Sequence, residues 1–490
     1  MATLSLWLAE HQMNVRFKEV FGQTNPTLPL KDGGKIICGN ATRLNWEEVC
    51  PKDEDVEIYI LGNPPYLGAR VQNEQQKQDM DFVFDKKLSK YRDLDYISCW
   101  FFKASEFIQN SKSKFAFVST NSICQGDSVG LLWPYLFNLG VEIFFAYTSF
   151  KWQNNAKYNA GVTVAIIGLK AINLKYRKFL FIDNARKEVD NISPYLASGA
   201  NIVVCRTNKP ISRNFPKMHF GNMPNDGGGL ILSTAEKEIL LRQNPEAEIF
   251  VKEFLGSQEF IRGQKRWCLW IEDEDLDKAL SMPFIVKRME ITKNHRINSK
   301  DKGTNKLAIR SRQFRDRNTA KNSQIIIPSV SSDRREYIPM GFLGKDTIIS
   351  NLGMAIYDTD PWIFAVLTSK MHLTWVAAIG GRLGNGYRYS AEICYNTFPF
   401  PEISEKQKQI ITSHVYNILE EREKHPEKTM AELYDPNKMP AGLKKAHQDL
   451  DVAIELCYRS KPFSPDEERL EHLFKLYEEM VNNKKLGVSE

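Results

Sequence analysis

Residues 60–68 read ILGNPPYLG, and the four at the centre, Asn63, Pro64, Pro65 and Tyr66, are an unusual set for a plain turn. The amino group of adenine is a poor nucleophile because its lone pair is delocalised into the ring. Two acceptors on its hydrogens localise that pair and aim it at an electrophilic methyl. The Asn63 side-chain oxygen and the Pro64 carbonyl can supply them, and the prolines fix φ so that both are in place before the base arrives. Tyr66 adds a flat face for stacking, worth about 1–3 kcal/mol per base. Inside a duplex the amino group is out of reach, so the base must be rotated out. The plain alternative is a strand-ending Pro-Pro turn. A second aromatic should close the sandwich. Phe150, with Trp152 as runner-up, precedes a buried strand, and core packing is the competing reading of both.

These residues need a frame. SLWLAEHQM (5–13) has helical spacing, and GKIICGNA (34–41) reads as a short buried strand running into a turn. VEIYILGNPPY (56–66) reads as a strand ending at the prolines, and DYISCWFFKASEFIQN (95–110) as an amphipathic helix. KFAFVSTNSI (114–123), VEIFFAYTSF (141–150) and AGVTVAIIGLK (160–170) are β-branched and aromatic strands. This alternation predicts an α/β fold with a Rossmann-like, doubly wound, mainly parallel sheet. Such sheets keep ligands at the carboxyl ends of their strands, where Asn63–Tyr66 would lie. From about 171 to 400 the texture is mixed α+β. DGGGLIL (226–232) lacks the spacing of a phosphate loop and reads as a turn. After NTFPFPEIS (396–404) the pattern is helical in three stretches, 406–423, 441–460 and 466–480. Ser404 caps the first; Ser464 as N-cap and Pro465 as first helical residue open the last.

A chain of 490 residues is too long for one ordinary core. The expected domains are 1–175, 176–402 and 403–490. The eight cysteines show no CxxC spacing and the eight histidines no HxxxH pair, which argues against a zinc site or a disulfide framework and fits a reducing cytoplasm. No apolar run approaches the length of a membrane span, and the first residues lack the pattern of a secretory signal. The charge is uneven. Between Lys287 and Lys321 stand twelve Lys/Arg against three acids, net +9, so the remainder of a chain of net +6 sums to −3. A cationic excess of that size attracts a polyanion by counterion release, with a solvated basic loop as the alternative.

The tetrapeptide resembles the catalytic motif of S-adenosylmethionine-dependent, amino-group DNA methyltransferases, which protein-glutamine and RNA-guanine methyltransferases share. The strings SLWLAEHQMN, ICGNATRLNW, ILGNPPYLGAR, FVSTNSICQG and FKWQNNAKYNAGVTVAIIGL stand in the order seen in MmeI-like (type IIL) restriction–modification enzymes. FLGSQEFIRGQKRWCLW, IPSVSSDRREYIPMGFL, GGRLGNGYRYS…YNTFPFP and LYDPNKMPAGLKKAHQDLD extend the resemblance to about residue 480. It implies that Asn63, Pro64, Pro65 and Tyr66 are catalytic, that Phe150 or Trp152 stacks on the opposite face, and that Gly39, Asn40 and Asn63 border the cofactor. It also implies that roughly 200–400 reads double-stranded DNA, with Ser332, Asp333, Arg334, Arg335, Arg382, Arg388, Arg310 and Arg312 as candidate contacts; for any single Arg, phosphate or a structural pair is the more frequent role.

The family's glycine-containing cofactor loop and its PD…ExK nuclease are not found in this sequence. The resemblance therefore implies a methyltransferase sheet incomplete at its N-terminus and a cofactor site incomplete in this chain, with no metal in this portion. An N-terminal methyltransferase/nuclease half would come as a separate polypeptide, or have been lost by truncation. Two readings follow: the adenine-N6-methylating, target-reading C-terminal half of a type IIL enzyme, inactive or incomplete alone, or a catalytically inactive DNA-binding specificity module. A protein or RNA methyltransferase is a third, but it has no need of the basic region and helical tail.

Overall fold

The apolar runs between 114 and 171 form the centre of a six-stranded sheet. The computed structural model describes residues 2–22, 34–53, 56–152, 163–183, 185–384 and 386–485. In it β1 (Tyr59–Gly62), β2 (Lys114–Thr120), β3 (Val141–Lys151), β4 (Thr163–Ala171), β5 (Lys178–Ile182) and β6 (Ala185–Val189) lie in the order β1-β2-β4-β3-β5-β6. They belong to the first of two units, Met1–Ile123 with Leu131–Leu196; the second is Cys124–Gly130 with Ala197–Glu490.

The fold is α/β, but its pairing is mixed rather than mainly parallel. β1 with β2 and β3 with β5 are parallel; β2 with β4, β3 with β4, and β5 with β6 are antiparallel. No helical pattern separates β3 from β4 in the sequence, and without a crossover the returning strand runs antiparallel. β1, β2 and β3 therefore point the same way, and their carboxyl ends share one rim of the sheet. Phe101, on the buried face of the helix Ser98–Phe107, meets Phe115 and Phe117 of β2 edge-on, at 5.9 and 5.5 Å between ring centres. Gly168 in β4 has no alternative, because a Cβ there would collide with the Phe145 ring.

One expected strand is not formed. Residues 34–38 of GKIICGNA are exposed and lie outside any strand. No strand among the described residues runs beside them, so their N–H and C=O groups face water instead of a ladder.

The second unit holds three small sheets. One has the order β14-β9-β10-β8 (Thr347–Ile349, Val251–Leu255, Trp267–Leu269, Ile231–Leu232). Another is β13-β11-β15-β7 (Gly341–Gly344, Ser323–Pro328, Gly353–Tyr357, His219–Phe220). The third is β12-β17-β16 (Val330–Ser331, Gly386–Arg388, Gly381–Leu383). The glycines at 227–229 form the expected turn: Asp226 accepts from Leu230 N–H at 2.6 Å, and Arg288 donates to the carbonyls of Gly228 and Gly229 at 2.7 Å each. Arg296 is fully buried, and its guanidinium donates to five main-chain carbonyls, of Pro224, Asn225, Leu307, Arg310 and Gln313. It ties the helix Pro283–Ile297 to two flanking loops.

The tail carries the helices Glu405–Glu423, Ala441–Tyr458 and Asp466–Lys485. Ser404 caps the first by accepting from Gln407 N–H. The last starts one residue later than expected, with Ser464 N–H bonded to Glu468 at 3.0 Å. No single helix among the described residues is long and apolar enough to cross a membrane.

Two buried histidines make this unit acid-sensitive. His372 bonds Tyr389 Oη at 2.8 Å and His447 bonds Tyr434 Oη at 2.7 Å. Burial pushes His372 down to about 3 and His447 well below its ordinary value. Both stay neutral when folded, while unfolded histidines protonate near 6.5, so their contribution to stability is lost as pH falls below that value. Asp451, bonded to Tyr337 Oη at 2.7 Å, acts in reverse: burial pushes it up to about 7, so the folded state gains a proton first. Half-buried His219 and His472 are lowered by burial in the same way, so the histidines outweigh Asp451 and stability falls as pH drops through about 6.5. Urea unfolding across that range should show this loss, and His372→Gln should make it shallower without abolishing it.

Candidate functional site

The strand carrying the tetrapeptide stops where the sequence placed it. β1 ends at Gly62, paired with Phe117, and Asn63 is the next residue, at the sheet's carboxyl rim. Pro64 is buried, Tyr66 half-buried and Asn63 exposed. Among the described residues neither the Asn63 amide nor the Pro64 carbonyl has a hydrogen-bond partner. Two acceptors at a proline-stiffened turn are thus unused within the fold.

The loop is fastened one residue further on. Leu67 N–H donates to Asp95 Oδ1 at 2.8 Å, and Leu67 carbonyl accepts from Tyr96 N–H and Gln72 Nε2, both at 3.0 Å. Asp95 also accepts from Ile97 N–H at 3.2 Å and from Ser122 Oγ, just beyond β2, at 3.3 Å. Burial pushes the Asp95 carboxyl above its ordinary range, and these hydrogen bonds offset that only in part.

Tyr96, the next residue, reaches the turn assigned to the cofactor. Its hydroxyl donates to Asp79 at 2.7 Å, and Asp79 also accepts from Arg43 Nε at 2.6 Å and Asn40 Nδ2 at 2.8 Å. Burial raises Asp79, but the bonds from Tyr96, Arg43 and Asn40 outweigh it and hold the carboxyl below its usual value. Asn40 Oδ1 is likewise engaged, accepting from Thr42 N–H at 3.0 Å and Thr42 Oγ1 at 2.8 Å. The Asn40 side chain therefore shapes the turn that Gly39 opens. Asp79, Asp95, Tyr96 and Gln72 escaped the reading of the sequence; the one available signal was an Asp-Tyr pair directly before an apolar helix.

The stacking candidates lie on the same rim. Phe150 pairs with Val164, which pairs with Thr120 at the end of β2. A register shift between Tyr147 and Phe150 puts one extra residue into β3, the kind of bulge that re-aims side chains beside functional sites. Phe150 and Trp152 are half-buried, with ring centres 6.4 Å apart. Three strand spacings, roughly 14 Å, separate the β1 and β3 backbones.

The third sheet joins two stretches assigned to DNA contact. Val330 pairs with Arg388 and Ser331 with Tyr387; Arg382 pairs with Tyr387 on the other side. Residues directly opposite share a face, so Arg382 and Arg388 lie on opposite faces. Arg382 sits over the Tyr387 ring at 4.2 Å, whereas Arg388 is exposed. Beyond β12, Asp333 and Arg334 are exposed and Ser332 and Arg335 half-buried; burial lowers Arg335. Arg312 is paired with Asp273 at 2.6 Å, and Arg310 donates to the Arg315 carbonyl at 3.0 Å, so both are engaged within the fold. The stretch GGRLGNGYRYS includes Asn385, which lies outside the described residues. Among the described residues no group of three or more His, Cys, Asp or Glu could hold a metal ion.

An Asn-Pro-Pro-Tyr loop at the rim of an α/β sheet is thus followed along the chain by small sheets and a helical tail. The chain belongs to the MmeI-like (type IIL) restriction–modification family. Residues 1–182 match the MmeI DNA-methyltransferase domain, 198–402 the MmeI target recognition domain and 403–484 the MmeI C-terminal domain. It is 51% identical over 481 residues to DNA methyltransferase A of Bacillus subtilis (strain 168), covering 98% of this chain and 54% of that protein. It also resembles a solved structure of the type IIL restriction–modification enzyme MmeI in complex with DNA, with a TM-score of 0.84 and 36% identity over 97% of this chain and 64% of that one. The chain thus spans about half the length of the curated relative it matches.

The Leu67 anchor has a measurable weight. Asp95→Ala strands a buried N–H, which costs about 1–3 kcal/mol. Urea unfolding should show that loss, with faster amide exchange at Leu67, and Asp95→Asn, which keeps an acceptor, should recover most of both.

Proposed function

We propose that this chain is the adenine-N6-methylating and target-reading portion of a type IIL enzyme, acting on double-stranded DNA with S-adenosylmethionine as methyl donor. The observation that carries this reading is the pair of unused acceptors on Asn63 and Pro64, held by a loop whose exit is anchored at Leu67. Asn63 Oδ1 and the Pro64 carbonyl would accept the two amino hydrogens of an everted adenine, turning its nitrogen lone pair out of the ring. Tyr66 would support one face of the base, and Phe150 or Trp152 the other. Pro64 and Pro65 remove the reorganisation that a flexible loop would need as the base enters.

S-adenosylmethionine supplies the electrophilic methyl when bound. The turn Gly39–Thr42 would border its adenine, with Asn40 contributing through the shape it gives the backbone, because both ends of its amide are taken. Asp79, Arg43 and Tyr96 hold that turn. The remaining contacts would come from an N-terminal methyltransferase/nuclease half. A reducing, cytoplasmic setting fits the eight cysteines, none of which forms a disulfide. For DNA, Ser332–Arg335 and Arg388 are the contacts we favour; Arg382, Arg310 and Arg312 would act by holding the surface that presents them.

The test is tritiated methyl transfer from S-adenosylmethionine to plasmid DNA. The chain is supplemented with the part of the Bacillus subtilis relative outside the match, and the product nucleoside is identified by mass spectrometry. N6-methyladenine is expected, with a rate lowered about 100-fold or more in Asn63→Ala, on the scale of losing one pre-organised transition-state contact. Methylcytosine, or transfer indifferent to Asn63, overturns the reading. Isothermal titration of the same mixture with S-adenosylmethionine, giving heat only when the supplement is present, separates an enzyme half from an inactive specificity module. Duplex binding should weaken steeply with salt, and Arg334→Ala should reduce the slope of log K against log salt by about one; an unchanged slope removes Arg334 from the interface.

A further inference from the structure

The exposed part of the stretch SSDRRE spans a short gap between two fixed ends. Ahead of it, Val330 and Ser331 are paired with Arg388 and Tyr387 in the third sheet. Behind it, Tyr337, Ile338 and Met340 are buried and lead into β13. Between these ends Asp333 and Arg334 are exposed, and neither side chain has a hydrogen-bond or ion-pair partner among the described residues. A short loop held at both ends loses little freedom when a ligand arrives.

The far end is fastened by the tail helix Ala441–Tyr458, which lies in the same unit. Tyr337 Oη donates to Asp451 Oδ2 at 2.7 Å, and the Tyr337 ring stacks on the His447 imidazole with 4.2 Å between centres. Glu336 pairs with Lys444 at 2.7 Å. Residues 444, 447 and 451 are three and four apart, so they share one face of the helix. Asp451 is itself held, because its Oδ1 accepts from Lys370 N–H at 2.6 Å. Arg422, on the helix Glu405–Glu423, donates to the Met340 carbonyl at 2.8 Å and to Tyr434 Oη, the partner of His447. The Glu336–Lys444 pair is exposed and adds little. The ring stack and the Tyr337–Asp451 bond carry the anchor. Leu443, Leu450 and Ile454 already bury the helix by apolar packing. A directional bond to one hydroxyl does something packing does not: it fixes where Tyr337, and the backbone three residues before it, can sit.

We propose that the tail helix Ala441–Tyr458 is the positioning element of target reading, with Asp451 and His447 holding Tyr337 so that Asp333 and Arg334 meet base edges at a fixed angle. Asp451, His447 and Tyr337 are positioning residues; none of them touches DNA in this scheme. The inference rests on the reading of Ser332–Arg335 as a DNA contact, and adds what sets the geometry of that contact.

Two measurements test it. In the first, without DNA, amide exchange at Arg334 and Arg335 should quicken in Asp451→Ala and in Tyr337→Phe. In the second, this chain selects duplexes from a pool with a randomised central segment, and the bound fraction is sequenced. The parent should enrich a sequence. Asp451→Ala and Tyr337→Phe should lower that enrichment about fivefold or more at some positions, the scale of one side chain–base contact. Affinity for a duplex of unrelated sequence should stay within about twofold, because no cation is removed. Asp451→Asn, whose amide can accept from Lys370 N–H and donate to Tyr337 Oη, should recover most of the enrichment. Thermal melts close to that of the parent show which variants are folded, and Tyr337→Phe carries the test if Asp451→Ala is not. Unchanged exchange, unchanged enrichment in a folded variant, or equal loss of enrichment and of unrelated-duplex affinity overturns the proposal. A parent chain that enriches nothing while exchange responds as expected overturns instead the target-reading role on which it rests.

Discussion

The Leu67 peptide is the point on which the site depends. Its N–H is held by a buried carboxylate and its C=O by a main-chain N–H and a side-chain amide. Stiff prolines alone would fix the shape of the loop but not its position. A loop secured on one side by a parallel strand and on the other by Asp95 has both. The cost is a buried carboxylate, tolerable because three donors converge on it.

The same short stretch ties the loop to the turn at Asn40. Asp95 holds Leu67, and the neighbouring Tyr96 holds Asp79, which holds Asn40 and Arg43. Two segments that the chain places more than twenty residues apart are thus set relative to each other by consecutive side chains on one loop. Asp79 and Asp95 are displaced in opposite directions: burial raises both, but the bonds from Tyr96, Arg43 and Asn40 outweigh it at Asp79, whereas burial outweighs the hydrogen bonds at Asp95.

Much of this arrangement was legible in the residues. The end of β1 at the prolines, the apolar helix after Asp95, the strands at 114 and 141 and the cap at Ser404 follow from local pattern and turn chemistry. Three things did not. The antiparallel return of β4 depends on what separates two strands, which composition alone does not rank. The strand pattern at 34–38 is real, yet a strand exists only with a neighbour, which no local window contains. The roles of Asp79 and Asp95 are long-range: an Asp within a polar helix or just ahead of an apolar one reads as a surface or capping residue until the fold brings Asn40 or Leu67 against it. Arg296 is similar, a member of a basic run that turns out to be wholly internal.

The β16–β17 hairpin has a further implication. Side chains on a strand alternate strictly, so inserting or deleting a single residue upstream of Arg388 would carry that guanidinium to the side now held by Arg382 and Tyr387. A change in length by one would therefore rewrite the exposed chemistry of the ribbon at a stroke, leaving the residues themselves untouched. Indels in this hairpin offer a lineage abrupt novelty, where point substitutions offer gradual drift.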